Sequence, residues 1–227
     1  MAAGRADSSQ GANALEQLCR TYWYPLYVYV RRQGRDPHEA QDLTREFFAR
    51  LLAAKSIQFV DRSKGKFRSF LLTSMNHFLA KEWNRAHRQK RGGGRVIVSL
   101  DDDTAERRYL CEPADQLTAD KLFDRRWALT VLEQAMERLK TEFTRSGKVE
   151  LFEQLKASIS GDPTAAPYAE VAAKCQMTEG AVKVAMHRLR KHFGELLRDE
   201  IAQTVSRPEE VEAEIRHLFE ALRGSMP

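Results

Sequence analysis

Glu179, Lys183, Val184, His187, Arg188 and Lys191 fall on one side of a helix at three-, four- and five-residue intervals. Two lysines, one arginine and one histidine at that spacing supply donors for base edges and phosphate oxygens. A helix set against duplex DNA reads bases with its N-terminal half and touches phosphates with its flanks. Lys183, His187 and Arg188 stand where that chemistry requires them. The other reading of the same pattern is an ordinary helical hairpin with a solvated face. A second cationic run, Lys81 to Arg95, carries Lys81, Arg85, Arg88, Lys90, Arg91 and Arg95 against Glu82. Catalytic constellations are missing. His38, His77, His87, His187, His192 and His217 form no HExxH set or ligand cluster, and there is no GxSxG or GxxxxGK. Gly92 to Gly94 lacks the preceding strand that a dinucleotide loop needs. The sequence therefore assigns no catalytic residue, no metal ligand and no cofactor, and it reads as a non-enzyme.

The 227 residues are 42% hydrophobic and 30% charged, enough for a real core. Lys plus Arg number 37 against 32 Asp plus Glu, a net charge of +5, which favours a polyanionic partner. The excess is segregated. Lys183 to Arg198 is basic, and Asp101 to Asp120 holds seven acidic residues against Arg107 and Arg108. Two basic patches flanking an acidic stretch suit two contacts with one polyanion. No apolar run reaches the roughly 20 residues of a membrane helix, and the first residues lack a secretory apolar stretch. Cys19, Cys111 and Cys175 are scattered, with no disulfide framework and no zinc knuckle. These features lead to the expectation of a cytoplasmic protein.

The elements that must carry these residues are all helical. Leu15, Leu18, Cys19, Tyr22, Leu26, Tyr29 and Val30 mark a helix over 15–32, with a kink or break expected at Pro25. Asp36 is placed to cap a second helix, with Pro37 first and Glu39 three residues on. A long helix is expected from Phe67 to about Arg91, ended by Gly92–Gly94. Its buried side would be Phe67, Phe70, Leu71, Ser74, Phe78 and Trp83, with Phe78 and Trp83 the two that could instead offer stacking faces to bases. RVIVSL, residues 95–100, reads as an extended linker. Further helices follow over about 118–140, 149–159, 168–175 and 179–198, and after Pro208. The domain plan is a disordered N-terminus (1–14), a helical domain (15–91), an acidic linker (92–117), a second helical domain (118–200) and a helical extension (201–227). Fold class is all-α: two small helical domains joined by a flexible linker, plus the tail.

Tyr168–Cys175, Gln176–Thr178 and Glu179–Lys191 form the clearest local motif, a helix-turn-helix. Ala169, Val171, Ala172 and Cys175 permit close packing. Met177 plugs the turn, Thr178 caps the second helix, and Val182, Met186, Leu189 and Phe193 point inward.

Two blocks in this order resemble bacterial RNA polymerase sigma factors of the extracytoplasmic-function (ECF) group. The first is Glu39 to Leu52 with Phe67–Thr73 and its long basic helix, similar to the family's second conserved region. The second is the helix-turn-helix with Glu179–Lys183, similar to the fourth. The resemblance spans roughly 15–198. It implies a non-catalytic subunit that directs promoter-specific initiation with core RNA polymerase. Asp42, Arg45 and Glu46 would dock on the clamp helices of the largest subunit. The loop 61–66 and the following helix would hold the melted minus-ten strand through Arg62, Lys64, Lys66, Arg68, His77, Lys81, Arg85 and Arg88. The second helix of the helix-turn-helix would read the minus-thirty-five duplex through Glu179, Lys183, Val184, His187, Arg188 and Lys191. The implied partners are core polymerase, including its flap, and promoter DNA, with an anti-sigma factor left open. Some positions depart from the family pattern. Gln176 stands where the turn usually has glycine, which raises the prospect of a different turn geometry. Ala181, Val184 and Ala185 stand where Thr, Ser and Arg are usual. The alternative is a helix-turn-helix regulator acting without core polymerase.

Overall fold

The computed structural model of the chain describes residues 19–53, 67–88, 102–110, 117–159, 161, 165–205 and 207–223. The described elements are helical, with no strand among them. The first helix, α1 (19–32), continues through Pro25 instead of breaking there. Proline in a helix costs about 3 kcal/mol through a lost bond and a ring clash. Each fully buried large apolar side chain returns about 1.5–3 kcal/mol, and α1 buries many. Tyr22, Leu26, Tyr27, Val28 and Val30 are each at most 1% exposed. A helix enclosed on every side has no apolar stripe, so three-and-four spacing finds Tyr22, Leu26 and Tyr29 but passes over Tyr24, Tyr27 and Val28.

α2 (Pro37–Ala53) starts as its sequence dictates. Asp36 Oδ1 accepts the Glu39 N–H at 2.9 Å, while Glu39 pairs with Arg35 at 2.7 Å. α3 is Phe67–Arg88 and α4 is Asp102–Leu110. Next come α5 (Ala119–Arg145), α6 (Val149–Ile159), α7 (Tyr168–Lys174) and α8 (Glu179–Ala202). A short 3-10 turn, Pro208–Glu210, leads into α9 (Val211–Arg223). RVIVSL lies outside the described residues.

Contacts divide the chain into two units, 131–203 and the remainder. The division falls inside α5, and α9 groups with the N-terminal unit. That unit is built around α1. Tyr22 meets Phe67 of α3 edge-on at 5.5 Å between centroids, and both Tyr22 and Tyr29 pack on Phe123 of α5. Tyr29 donates to Asn76 of α3 at 2.7 Å. α2 joins α3 through Phe47 and Phe78, 5.8 Å apart, and through an Arg50–Glu82 ion pair at 2.7 Å.

α4 rises within the acidic stretch. Its carboxylate Glu106 accepts two hydrogen bonds from Arg31, at 3.0 and 2.8 Å, and one from Tyr27. Burial alone would raise the Glu106 carboxyl; the hydrogen bonds from Arg31 and Tyr27 outweigh it and hold the group below its usual range. Arg31 and Arg108 lie over the rings of Tyr109 and Tyr24. Nine residues are too few for a stable isolated helix, so α4 exists through these contacts with α1.

The unit 131–203 holds the second part of α5 with α6, α7 and α8. Phe152 and Leu155 of α6, Val171 of α7, and Val182, Met186 and Leu189 of α8 are each at most 1% exposed. Phe143 packs on Phe152 at 5.9 Å, and Arg138 donates to Glu200 at 2.6 Å.

Candidate nucleic-acid interface

α7 and α8 form the helix-turn-helix that the small residues and Thr178 forecast. Val171 and Ala172 are buried, so α7 sits close against α8. Thr178 Oγ1 accepts the Ala181 N–H at 3.2 Å and starts α8. The turn keeps left-handed geometry without glycine. Gln176 has φ of 52°, and the Met177 N–H closes on the Ala172 carbonyl at 2.9 Å. This is a Schellman closure with Gln176 at the position glycine prefers. α5 ends in the same closure, Lys148 N–H to Phe143 carbonyl at 2.9 Å, with Gly147 at φ of 69°. A side chain in this region costs about 1–2 kcal/mol, so the Gln176 turn holds strain that Gly147 does not.

All six α8 candidates face solvent: Glu179, Lys183, Val184, His187, Arg188 and Lys191 are exposed. Lys183 pairs with Glu179 at 2.8 Å, and that hydrogen bond raises its ammonium above the ordinary lysine value. Val184 is 51% exposed, an apolar face amid cations. One edge of α8 borders a groove of about 830 Å³ lined by Phe143, Lys148, Leu151, Met177, Val184 and Arg188. Lys148 and Lys174 share this groove from elements other than α8. The sequence reading passed over both. The signal for Lys148 was the basic Arg145–Lys148 turn closed by a glycine; Lys174 carried none beyond its place in α7. Deeper in the helix, His192 lies between Glu142 and Glu195. Its hydrogen bond to Glu142 raises its pKa above the usual histidine value.

The cations of α3 divide. His77, Lys81 and Arg85 are exposed, with Arg85 3.8 Å from Glu82. Arg88 lies in the last turn of α3. Arg62, Lys64 and Lys66 lie outside the described residues. Arg68 is 7% exposed. Its Nη1 binds Asp124 of α5, its Nε lies 3.4 Å from Glu214 of α9, and its guanidinium covers the Trp127 ring. His217 of α9 reaches Asp124 at 3.2 Å. The two aromatics of α3 separate as well, with Phe78 7% exposed and Trp83 52%.

On α2, Asp42 is exposed, while Arg45 is largely covered and stands 3.9 Å from it. Glu46 pairs with Arg50 at 2.6 Å, and Arg50 continues to Glu82. The three docking candidates therefore share one face, bounded by an ion-pair chain that ties α2 to α3.

None of the described helices is long and apolar enough to cross a membrane, and no metal-binding cluster occurs among the described residues. The family model for ECF sigma factors matches residues 7–199. Searches of curated proteins and of solved structures return no match.

Proposed function

The chain belongs to the ECF sigma factor family, a family that directs transcription initiation, and on that premise we propose a division of labour among its helices. α2 binds core RNA polymerase through Asp42, Glu46 and the partly covered Arg45. α3 holds the melted minus-ten strand through His77, Lys81, Arg85 and Arg88, and Trp83 offers a base-stacking face. Arg62, Lys64 and Lys66 precede it in the chain and join the same contact. α8 reads the minus-thirty-five duplex. Lys183, His187 and Arg188 reach bases and phosphates, Glu179 and Lys191 flank them, and Val184 contacts thymine methyls. Lys148, on the groove beside α8, takes a backbone phosphate. The subunit works by binding energy alone: cations neutralise phosphates and release counterions, and stacking holds the unpaired strand.

The observation that carries this reading is the exposure of all six α8 candidates on one helix seated by a capped helix-turn-helix. The test is reconstitution. Purified chain, sigma-free core polymerase and host genomic DNA are mixed, and transcript 5′ ends are sequenced. Discrete starts sharing two upstream elements are expected. Asp42→Lys with Glu46→Lys is expected to abolish core binding with helicity unchanged. Duplex binding without core binding or starts would replace this reading with a polymerase-independent regulator.

A further inference from the structure

Arg68 is a buried cation whose two carboxylate partners come from different helices, and they hold it unequally. Asp124 is the close partner; Glu214 stands 3.4 Å from Nε, longer than the 2.7–2.9 Å or so of a tight charged pair. A guanidinium fork fits a phosphate as it fits a carboxylate. Arg68 opens α3, the helix assigned above to the unpaired strand, and three cations precede it within seven residues. The first turn of α3 carries no acid. The segment that leads into and forms α9 is acidic. From Glu209 to Arg223 there are five glutamates against Arg216 and Arg223. Glu214 and Leu218 are the buried residues of α9, and His217 adds contacts with Asp124 and the Trp127 ring. A buried ion pair adds little net stability relative to an apolar contact but demands one register. Such a pair fixes where α9 sits without adding much to its hold.

We propose that Arg68 is a latent phosphate-binding residue for single-stranded nucleic acid, and that α9 is the strap that covers it. Glu214 stands in for the phosphate while the strap is seated. When α9 lifts, Asp124 keeps Nη1 and the Nε edge of the fork turns to the strand. This rests on the assignment of α3 to the unpaired strand.

The test uses the full chain and a short fluorescein-labelled mixed-sequence single-stranded DNA, titrated at several salt concentrations. Glu214→Lys places a cation against Arg68 and expels the strap. Glu212→Lys makes the same charge change at an exposed site on the same helix. Glu214→Lys is expected to bind more tightly than Glu212→Lys by about fivefold at 0.1 M salt, with a salt slope steeper by about 0.7, the yield of one added phosphate contact. Glu214→Gln, a milder change, is expected to shift both in the same direction by less. Core-polymerase binding through α2 reports that the unit is folded. Equal behaviour of Glu214→Lys and Glu212→Lys overturns the strap. So does loss of core binding in both Glu214 variants, since α9 would then be a permanent part of the fold. Absence of strand binding in every protein, wild type included, overturns the assignment of α3 itself.

Discussion

α3 and α8 both present arginines and lysines at helical spacing, yet they treat them differently. α8 turns every candidate outward. α3 turns His77, Lys81 and Arg85 outward and folds Arg68 under α9 against Asp124 and Glu214. The difference lies in what each helix meets. The inward stripe of α8 is filled by Val182, Met186 and Leu189. The first turn of α3 meets carboxylates from two other helices, so an arginine there is a core residue with its charge matched. A cation's place in a periodic pattern therefore reports its angle on the helix and not what lies across from it.

The sharpest break between the two helices is in stability. Arg68→Ala leaves Asp124 and Glu214 facing each other without their cation and is expected to cost about 3–5 kcal/mol. Arg85→Ala, on the exposed side of the same helix, is expected to stay within about 0.5 kcal/mol. Trp23, Trp83 and Trp127 all lie in the N-terminal unit, so urea unfolding followed by tryptophan fluorescence reads this contrast directly. Similar costs for the two would remove the distinction.

On α8 the large effect falls on binding. Lys183→Ala with Arg188→Ala is expected to flatten the salt dependence of duplex binding by about 1.8 in slope, or on the order of 50-fold in affinity at 0.1 M salt. Thermal stability should hold, because both side chains are exposed. An unchanged slope would remove this helix from the DNA contact.

A smaller effect concerns the turn that aims α8. Gln176→Gly is expected to stabilise the unit 131–203 by about 1 kcal/mol, because glycine adopts the left-handed conformation without strain. Gly147→Ala is expected to lose a similar amount in the matching closure of α5. Circular dichroism melts of both variants test the pair. A Gln176→Gly variant less stable than wild type would show that the glutamine side chain makes a compensating contact.

The smallest effect is the pH response of His192. Glu142 raises the folded-state pKa of this histidine. Its contribution is therefore complete below the ordinary value near 6.5 and is lost as pH rises through the higher folded value. The stability difference between wild type and His192→Gln should shrink with rising pH across that window, as followed by urea midpoints. A difference that grows with pH would reverse the assignment.

Much of this molecule was legible from residue order. Asp36 and Thr178 start α2 and α8 as their types dictate, because a cap is a local bond between residues three apart. The ends of α6 follow its own apolar spacing. The outward set of α8 was readable because one filled stripe leaves only one open side. Other features needed the third dimension. α4 arises in a stretch read as linker, since its helicity comes from Arg31, Tyr27 and Tyr24 of a distant segment. Phe78 and Trp83 share a helix and an aromatic character, and only packing against Phe47 sends Phe78 inward.

The sequence by itself determined the all-α class, the helix-turn-helix and its capped second helix, and the order of blocks that marks the family, because these depend on local bonds and one-dimensional periodicity. Tertiary structure alone decided that α1 is enclosed on every side through its proline, that Gln176 holds a glycine conformation, and that Arg68 lies beneath α9. The first and last of those follow from groups far apart in the chain that meet in space, where burial and charge pairing outweigh the local preference; Gln176 follows from the close seat of α7 on α8, which requires the turn whatever residue stands in it.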